Sequence, residues 1–255
     1  MPRANRYSVA GAAYHLTHRC HNRQFLLKTA QDRDSYRKLL REAFSSSAVS
    51  LLGYTITSNH VHLLVASNTQ GAVGSLMQLV QGQFAGAYNR RKKREGAYWS
   101  DRYHATMIDS GQHLLACLRY IDLNMVRAGV VRHPQEWPWT GWHELVGERK
   151  RYRLIDSRAL LDRLDATSWP AFQKYYRGAI EDALMQKEAC RRDGRWTESL
   201  AVGSSAFTKR VEAQIILARK RSRTTLEEGD GGRWTLRETA ADYALERSLG
   251  ANSGF

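Results

Sequence analysis

The sequence is poor in cysteine, in acidic charge and in long apolar runs. Its three cysteines, Cys20, Cys117 and Cys190, are odd in number, widely spaced and free of any Cys-x-x-Cys pair, which argues against a disulfide framework or a thiolate zinc site. No stretch reaches the roughly 18 consecutive apolar residues that a membrane helix needs, and Met1 to Arg6 lead into no signal-peptide apolar region. A soluble, cytoplasmic protein without membrane contact is therefore expected. A Gly-rich phosphate loop, a Ser nucleophile elbow, a Cys-His pair and an internal repeat are missing too.

What is present begins with bulk. The 255 residues are 42% apolar and 10% aromatic, enough to bury a core in one generous domain or a domain with an appendage. The shortage of acid has an address. Lys and Arg number 39 against 25 Asp and Glu, for a formal charge of +14, and residues 1–132 hold 18 of the basic residues against 7 acidic ones. Thirty of the basic residues are Arg, whose planar guanidinium suits bidentate phosphate contacts and stacking on bases. A polyanion, foremost nucleic acid, is the partner this favours over a merely solubilising surface charge.

Residues 12–20 read as a strand and 31–47 as a helix, through Tyr36, Leu39, Leu40, Ala43 and Phe44. Two β-rich runs, 49–57 and 60–66, are joined at Ser58 and Asn59 as a hairpin. From Gly71 an amphipathic helix runs through Val73, Leu76, Met77, Val80, Phe84, Ala87 and Tyr88 into Asn89-Arg90-Arg91-Lys92-Lys93-Arg94. A strand over 103–109 and a helix over 112–127 follow. The order predicts an α+β, ferredoxin-like split β-α-β antiparallel sheet with helices on one face, plus an extra helix. Beyond a Trp-rich segment near 133–147, helices are expected over 156–165, 168–189 and 205–221. The expected domains are 1–147, a helical extension over 148–221 and a linker-like or loosely ordered tail over 222–255.

In the strand His60-Val61-His62-Leu63-Leu64-Val65, alternation puts His60 and His62 on one face. Two imidazoles one pleat apart either share a metal ion or sit as half-exposed hydrogen-bonded histidines. In the helix over 112–127, Leu114, Leu118, Ile121 and Met125 form a core stripe, while Tyr120, Asn124 and Arg127 fall on a different face. Tyr120 and Asn124, four residues apart, are stacked neighbours, so Asn124 can supply a third, amide ligand with the Tyr120 phenol beside it. Two imidazoles and an amide oxygen leave coordination positions open and suit Mg²⁺ or Mn²⁺. Such an ion polarises a phosphodiester, and a tyrosine can attack it to give a covalent phosphotyrosine.

Tyr14-His15-Leu16-Thr17-His18-Arg19, Asn59-His60-Val61-His62-Leu63-Leu64 and Tyr120-Ile121-Asp122-Leu123-Asn124-Met125-Val126-Arg127 together resemble the REP-associated tyrosine transposases, HUH-class, IS200-like single-strand DNA transposases. The resemblance covers roughly residues 5–145. It implies His60 and His62 as metal ligands, Asn124 as the third, Tyr120 as nucleophile, and cleavage of single-stranded hairpin DNA through a 5′-phosphotyrosine with a free 3′-OH. The chain departs from the pattern at Met125, where relatives often carry Pro, and at Cys20-His21, where they carry a Gly-rich or polar segment.

Candidate DNA contacts are Arg3, Arg6, Arg19, Arg23, Arg90, Arg91, Lys92, Lys93, Arg94, Arg102 and Arg127, with Tyr7, Trp99 and Tyr103 as base-stacking candidates. His15, His18, Cys20 and His21 make a poor zinc cluster, because in a strand His15 points away from His18 and Cys20. Trp137, Trp139 and Trp142 are expected to pack the segment after the catalytic helix onto the sheet. The rival function is a catalytically silent protein that binds hairpin DNA or RNA and regulates.

Overall fold

The structure, a computed structural model, describes residues 7, 9, 11–186, 191–218 and 224–238. Arg3, Arg6 and Cys190 lie outside the described residues, as do the end of the helix expected over 205–221 and the tail from 239 onward.

Strands β1 (Ala13–Arg19), β2 (Ser50–Ile56), β3 (His60–Ala66) and β4 (His104–Ile108) alternate with helices α1 (Ala30–Ser45) and α2 (Ala72–Lys92) in the expected order. They pair antiparallel as β2-β3-β1-β4, the ferredoxin-like arrangement. α1 starts at a capping box, in which Thr29 accepts from the Asp32 amide and the Asp32 carboxylate accepts from the Thr29 amide. α1 and α2 pack together on one face of the sheet. There Tyr36 meets Phe84 edge-on at 4.9 Å, and Trp99 stacks on His18 of β1 at 4.3 Å. Trp99 and Tyr103, candidates for stacking on bases, are thus taken up in packing: Trp99 also donates its Nε1–H to the Gln81 carbonyl, and Tyr103 is buried.

The other face is covered by α3 (Gln112–Asp122), which lies over β2, β3 and β4. It comes so close that a Cβ at Gly53 would stand 2.3 Å from Leu118 Cδ1. The single helix expected over 112–127 is broken. α3 ends at Asp122, Leu123 sits at φ −78° and ψ 4°, and a one-turn helix α4 (Asn124–Arg127) follows. Leu114, Leu118, Ile121 and Met125 stay buried across the break, which is why periodicity alone did not reveal it. After it, Trp137 donates to the Ile56 carbonyl at 3.0 Å, Trp139 donates to Asp34 at 2.8 Å and Trp142 is fully buried in the one-turn helix α5 (Trp142–Leu145).

The C-terminal part holds the expected helices as α6 (Ser157–Leu164), α7 (Trp169–Met185) and, after the one-turn α8 (Arg195–Glu198), α9 (Ser205–Ala218). It also holds strands that the sequence reading did not predict. β5 (Ala201–Gly203) adds to β4 in parallel, and β6 (Thr224–Gly229) and β7 (Arg233–Glu238) form a hairpin that extends the sheet to β2-β3-β1-β4-β5-β7-β6 among the described residues. Within the stretch read as linker-like, residues 224–238 form this hairpin. Its glycines make the turn, Gly231 and Gly232 having φ of +70° and +69°, and its charged residues lie on an edge strand facing solvent.

Candidate active site

The site grows from the α3 face of the sheet. Two-residue alternation puts His15 and Thr17 of β1, and His60 and His62 of β3, on that face, with Thr17 paired to His62 and Arg19 to His60. The hairpin turn orients His60. Asn59 Nδ2 donates to the Arg23 carbonyl at 3.2 Å, which aims its Oδ1 at His60 Nδ1, 2.7 Å away. An amide oxygen only accepts, so Nδ1 carries the proton and the His60 Nε2 lone pair is left available. His62 touches His15 on one side, His15 Nε2 to His62 Nδ1 being 2.8 Å, and Asn124 on the other, Asn124 Nδ2 to His62 Nε2 being 3.0 Å. The His60 and His62 rings are 4.8 Å apart edge-on, and Tyr120 stands 6.2 Å from His62 and 6.0 Å from His15, centroid to centroid.

Tyr120 lies in the last turn of α3 and Asn124 opens α4, so the break at Leu123 still delivers both to the histidines. Arg127 fixes the tyrosine from behind. Its guanidinium lies 3.9 Å over the Tyr120 ring and Nη2 donates to the Tyr120 carbonyl at 2.6 Å.

Residues 8–124 match the family model described as transposase, IS200-like. This segment is similar to IS200-like transposases. Among solved structures, a REP-associated tyrosine transposase bound to a REP hairpin aligns with a TM-score of 0.51 and 20% identity, over 58% of this chain and 86% of that one. The two share the fold. A candidate transposase from Deinococcus radiodurans R1 aligns with a TM-score of 0.34 and 17% identity, over 51% of this chain and 96% of that one. No curated protein matches.

Burial sets the protonation of the site. It drives His15 down to about 3, holds His62 well below its ordinary value, and, helped by Arg19 and Arg127, takes His60 to about 3. All three imidazoles are neutral at pH 7, the state a metal ligand needs. Burial also raises the Tyr120 phenol above its ordinary 10.0, with Arg127 opposing the rise.

Among the described residues no three His, Cys, Asp or Glu side chains form a metal-holding group, so an ion here needs the Asn124 amide. The donor set fits that role. The 3.0 Å between Asn124 Nδ2 and His62 Nε2 is about the spacing of adjacent ligands on an octahedral ion with bonds of ~2.1 Å. Turning the amide over puts Oδ1 where Nδ2 stands.

The basic candidates separate. Arg19 is half-buried beside His60, and Arg23, its carbonyl tied to Asn59, is exposed with φ +57°. These two sit at the site. Arg90, Lys92, Lys93 and Arg102 are exposed, at the end of α2 and before β4. Arg91 is engaged with Asp32, Arg94 with Asn89 and the Gly96 and Ala97 carbonyls, and Arg127 with Tyr120. The sequence reading missed His15 and the C-terminal Trp196, whose ring is 6.1 Å from Tyr120. For His15 the signal existed: it shares the odd-numbered face of β1 with Thr17, but its partner became visible only once β1 was paired with β3.

Proposed function

We propose that the chain is a metal-dependent single-stranded DNA endonuclease and strand transferase acting on hairpin DNA. The observation that carries this reading is the convergence of Tyr120 and Asn124, from the two sides of a helix break, on the His60–His62 pair. The match of residues 8–124 to the IS200-like transposase model and the fold shared with a transposase that was captured on a REP hairpin support it. His60, His62 and Asn124 would hold Mg²⁺ or Mn²⁺, which when bound supplies Lewis acidity at the scissile phosphate. Tyr120 is the nucleophile: its oxygen bonds to phosphorus as the phenol proton is lost, the P–O3′ bond breaks, and the 3′ oxygen leaves to become a 3′-OH. A 5′-phosphotyrosine results, and attack by a 3′-OH reverses the step at a new junction. Arg127 holds the Tyr120 ring and lends positive charge as the phenolate forms, while Arg19 and Arg23 meet the strand's phosphates at the mouth of the site. Among the described residues no helix is long and apolar enough to cross a membrane.

The test is to mix the protein with end-labelled single-stranded hairpin DNA from the host's repetitive sequences and Mn²⁺, and to look for an adduct that survives denaturant. An adduct is expected with the native chain and none with Tyr120→Phe. An adduct that persists in Tyr120→Phe, or none with any such hairpin, leaves the silent binding protein as the better reading.

A further inference from the structure

His15 makes two hydrogen bonds, and together they determine how His62 presents itself. His15 Nδ1 is 2.8 Å from the carbonyl oxygen of Trp196 in α8, and His15 Nε2 is 2.8 Å from His62 Nδ1. His15 is fully buried, its ring stacked on His62 at 5.0 Å between centroids. A carbonyl oxygen has no proton to give, so the hydrogen in the first contact belongs to His15 Nδ1. In a neutral ring Nε2 is then the acceptor, and the hydrogen in the second contact belongs to His62 Nδ1. His62 Nε2 is left with its lone pair on the side of Asn124 and Tyr120, and Asn124 Nδ2, a donor 3.0 Å away, is the partner that such a lone pair selects. Each hydrogen position follows from the one before it, and the first is fixed by backbone.

We propose that His15 is a positioning residue, anchored on the Trp196 carbonyl, which locks His62 in the tautomer whose Nε2 lone pair faces the metal-binding position. This rests on the metal reading of the site given above. The arrangement follows a general requirement, that an imidazole ligand be held through its second nitrogen; such supports are worth about 10–100-fold in metal affinity. His60 meets the same requirement within its own hairpin, through Asn59. His62 lies in mid-strand, where no turn residue can reach its ring, so its support must cross from β1. The anchor comes from farther still. Trp196 lies outside the segment that matches the transposase family, in the C-terminal part, where Thr106 of β4 also donates to its carbonyl at 3.1 Å. The C-terminal part thereby contributes to the site through a backbone atom, which leaves no trace in side-chain identity.

The test uses the full chain without metal and then with Mn²⁺. Long-range ¹H–¹⁵N spectra separate protonated from lone-pair ring nitrogens, and Mn²⁺ affinity is read by electron paramagnetic resonance titration, with His62→Ala marking the site. In the native protein His62 is expected to carry its proton on Nδ1. His15→Leu should weaken Mn²⁺ binding about 10–100-fold. His15→Gln, whose amide can donate to the Trp196 carbonyl and accept from His62, should recover most of it. A native His62 protonated on Nε2 overturns the proposal, as does a His15→Leu variant that binds Mn²⁺ within twofold of the native protein. If His15→Leu does not fold, His15→Gln and the native spectra decide, and a Gln variant as weak as His62→Ala overturns it. A native protein that takes up no Mn²⁺ at all overturns the metal reading itself, a distinct result because the tautomer can still be as argued.

Discussion

The two faces of the sheet are built from the same strands by the same alternation, yet only one of them gathers a cluster of bonded imidazoles. Toward α1 and α2, the strands turn Leu16, His18, Val61, Leu63 and Val65 into a packed layer with Tyr36, Phe84 and Trp99. Toward α3 and α8 they turn Thr17 and the imidazoles of His15, His60 and His62, whose hydrogen bonds run to one another, to Asn59 and Asn124 and to the Trp196 carbonyl. One face stabilises mainly by removing apolar area from water. The other keeps an apolar layer under α3, with Leu64, Leu114 and Leu118 buried, but gives up part of that gain to hold imidazoles neutral and oriented, as an active site requires.

The largest expected effect breaks this comparison into two independent readouts. Leu63→Ala removes a fully buried side chain from the α1–α2 face and should cost about 2–5 kcal/mol of stability, measured by urea unfolding. In the protein that remains folded, adduct formation should persist. His62→Ala, one residue away on the other face, should abolish the adduct while changing stability far less. If the two variants lose stability and activity in the same proportion, the faces are not functionally distinct.

A second, smaller effect concerns pH. The folded pKa of His15 lies near 3, against about 6.5 in the unfolded chain, so between these values the unfolded state binds the additional proton. Stability therefore rises with pH across this window, and the contribution of His15 is complete above about 6.5 and is lost as pH falls toward 3. Metal-free His15→Leu should show a shallower dependence there, by up to one proton, or about 1.4 kcal/mol per pH unit. His18 lies on the other face of the same strand, its Nε2 2.6 Å from the Asp101 carbonyl, whereas the α3 face gathers four imidazoles that burial holds below their ordinary value, His15, His60, His62 and His104. An unchanged pH profile in the variant would mean that His15 is not the buried neutral group described.

How much of this was legible in the sequence follows from the range of the signals. The β-α-β-β-α-β order was readable because strand alternation and helix spacing are local, and His60 and His62 were readable because a two-residue step within one strand fixes their common face. His15 belongs to the same cluster through the register of β1 on β3, a non-local fact, and considered within its own strand it stood only in contrast to His18. Trp196 acts through its carbonyl, which every residue has. The break at Leu123 preserved the apolar spacing on both sides and so gave no sign. The β6–β7 hairpin was concealed by composition: the Gly231-Gly232 turn and the outward glutamates of an edge strand read like a linker until β5 supplies the strand beside which they pair.

The smallest effect sharpens the comparison from the packed side. Thr29 and Asp32 close a capping box at the start of α1, each satisfying the other's backbone N–H, and Asp32 also pairs with Arg91 at the end of α2. Thr29→Ala removes the hydroxyl but leaves the Asp32–Arg91 pair, so the loss should be confined to about 1 kcal/mol of stability. Because α1 touches the sheet on the face away from the histidines, Mn²⁺ affinity and the His62 tautomer should not move. A change in either would mean that the helix layer sets the geometry of the site through the strands, and that the two faces, distinct in composition, are coupled in mechanics.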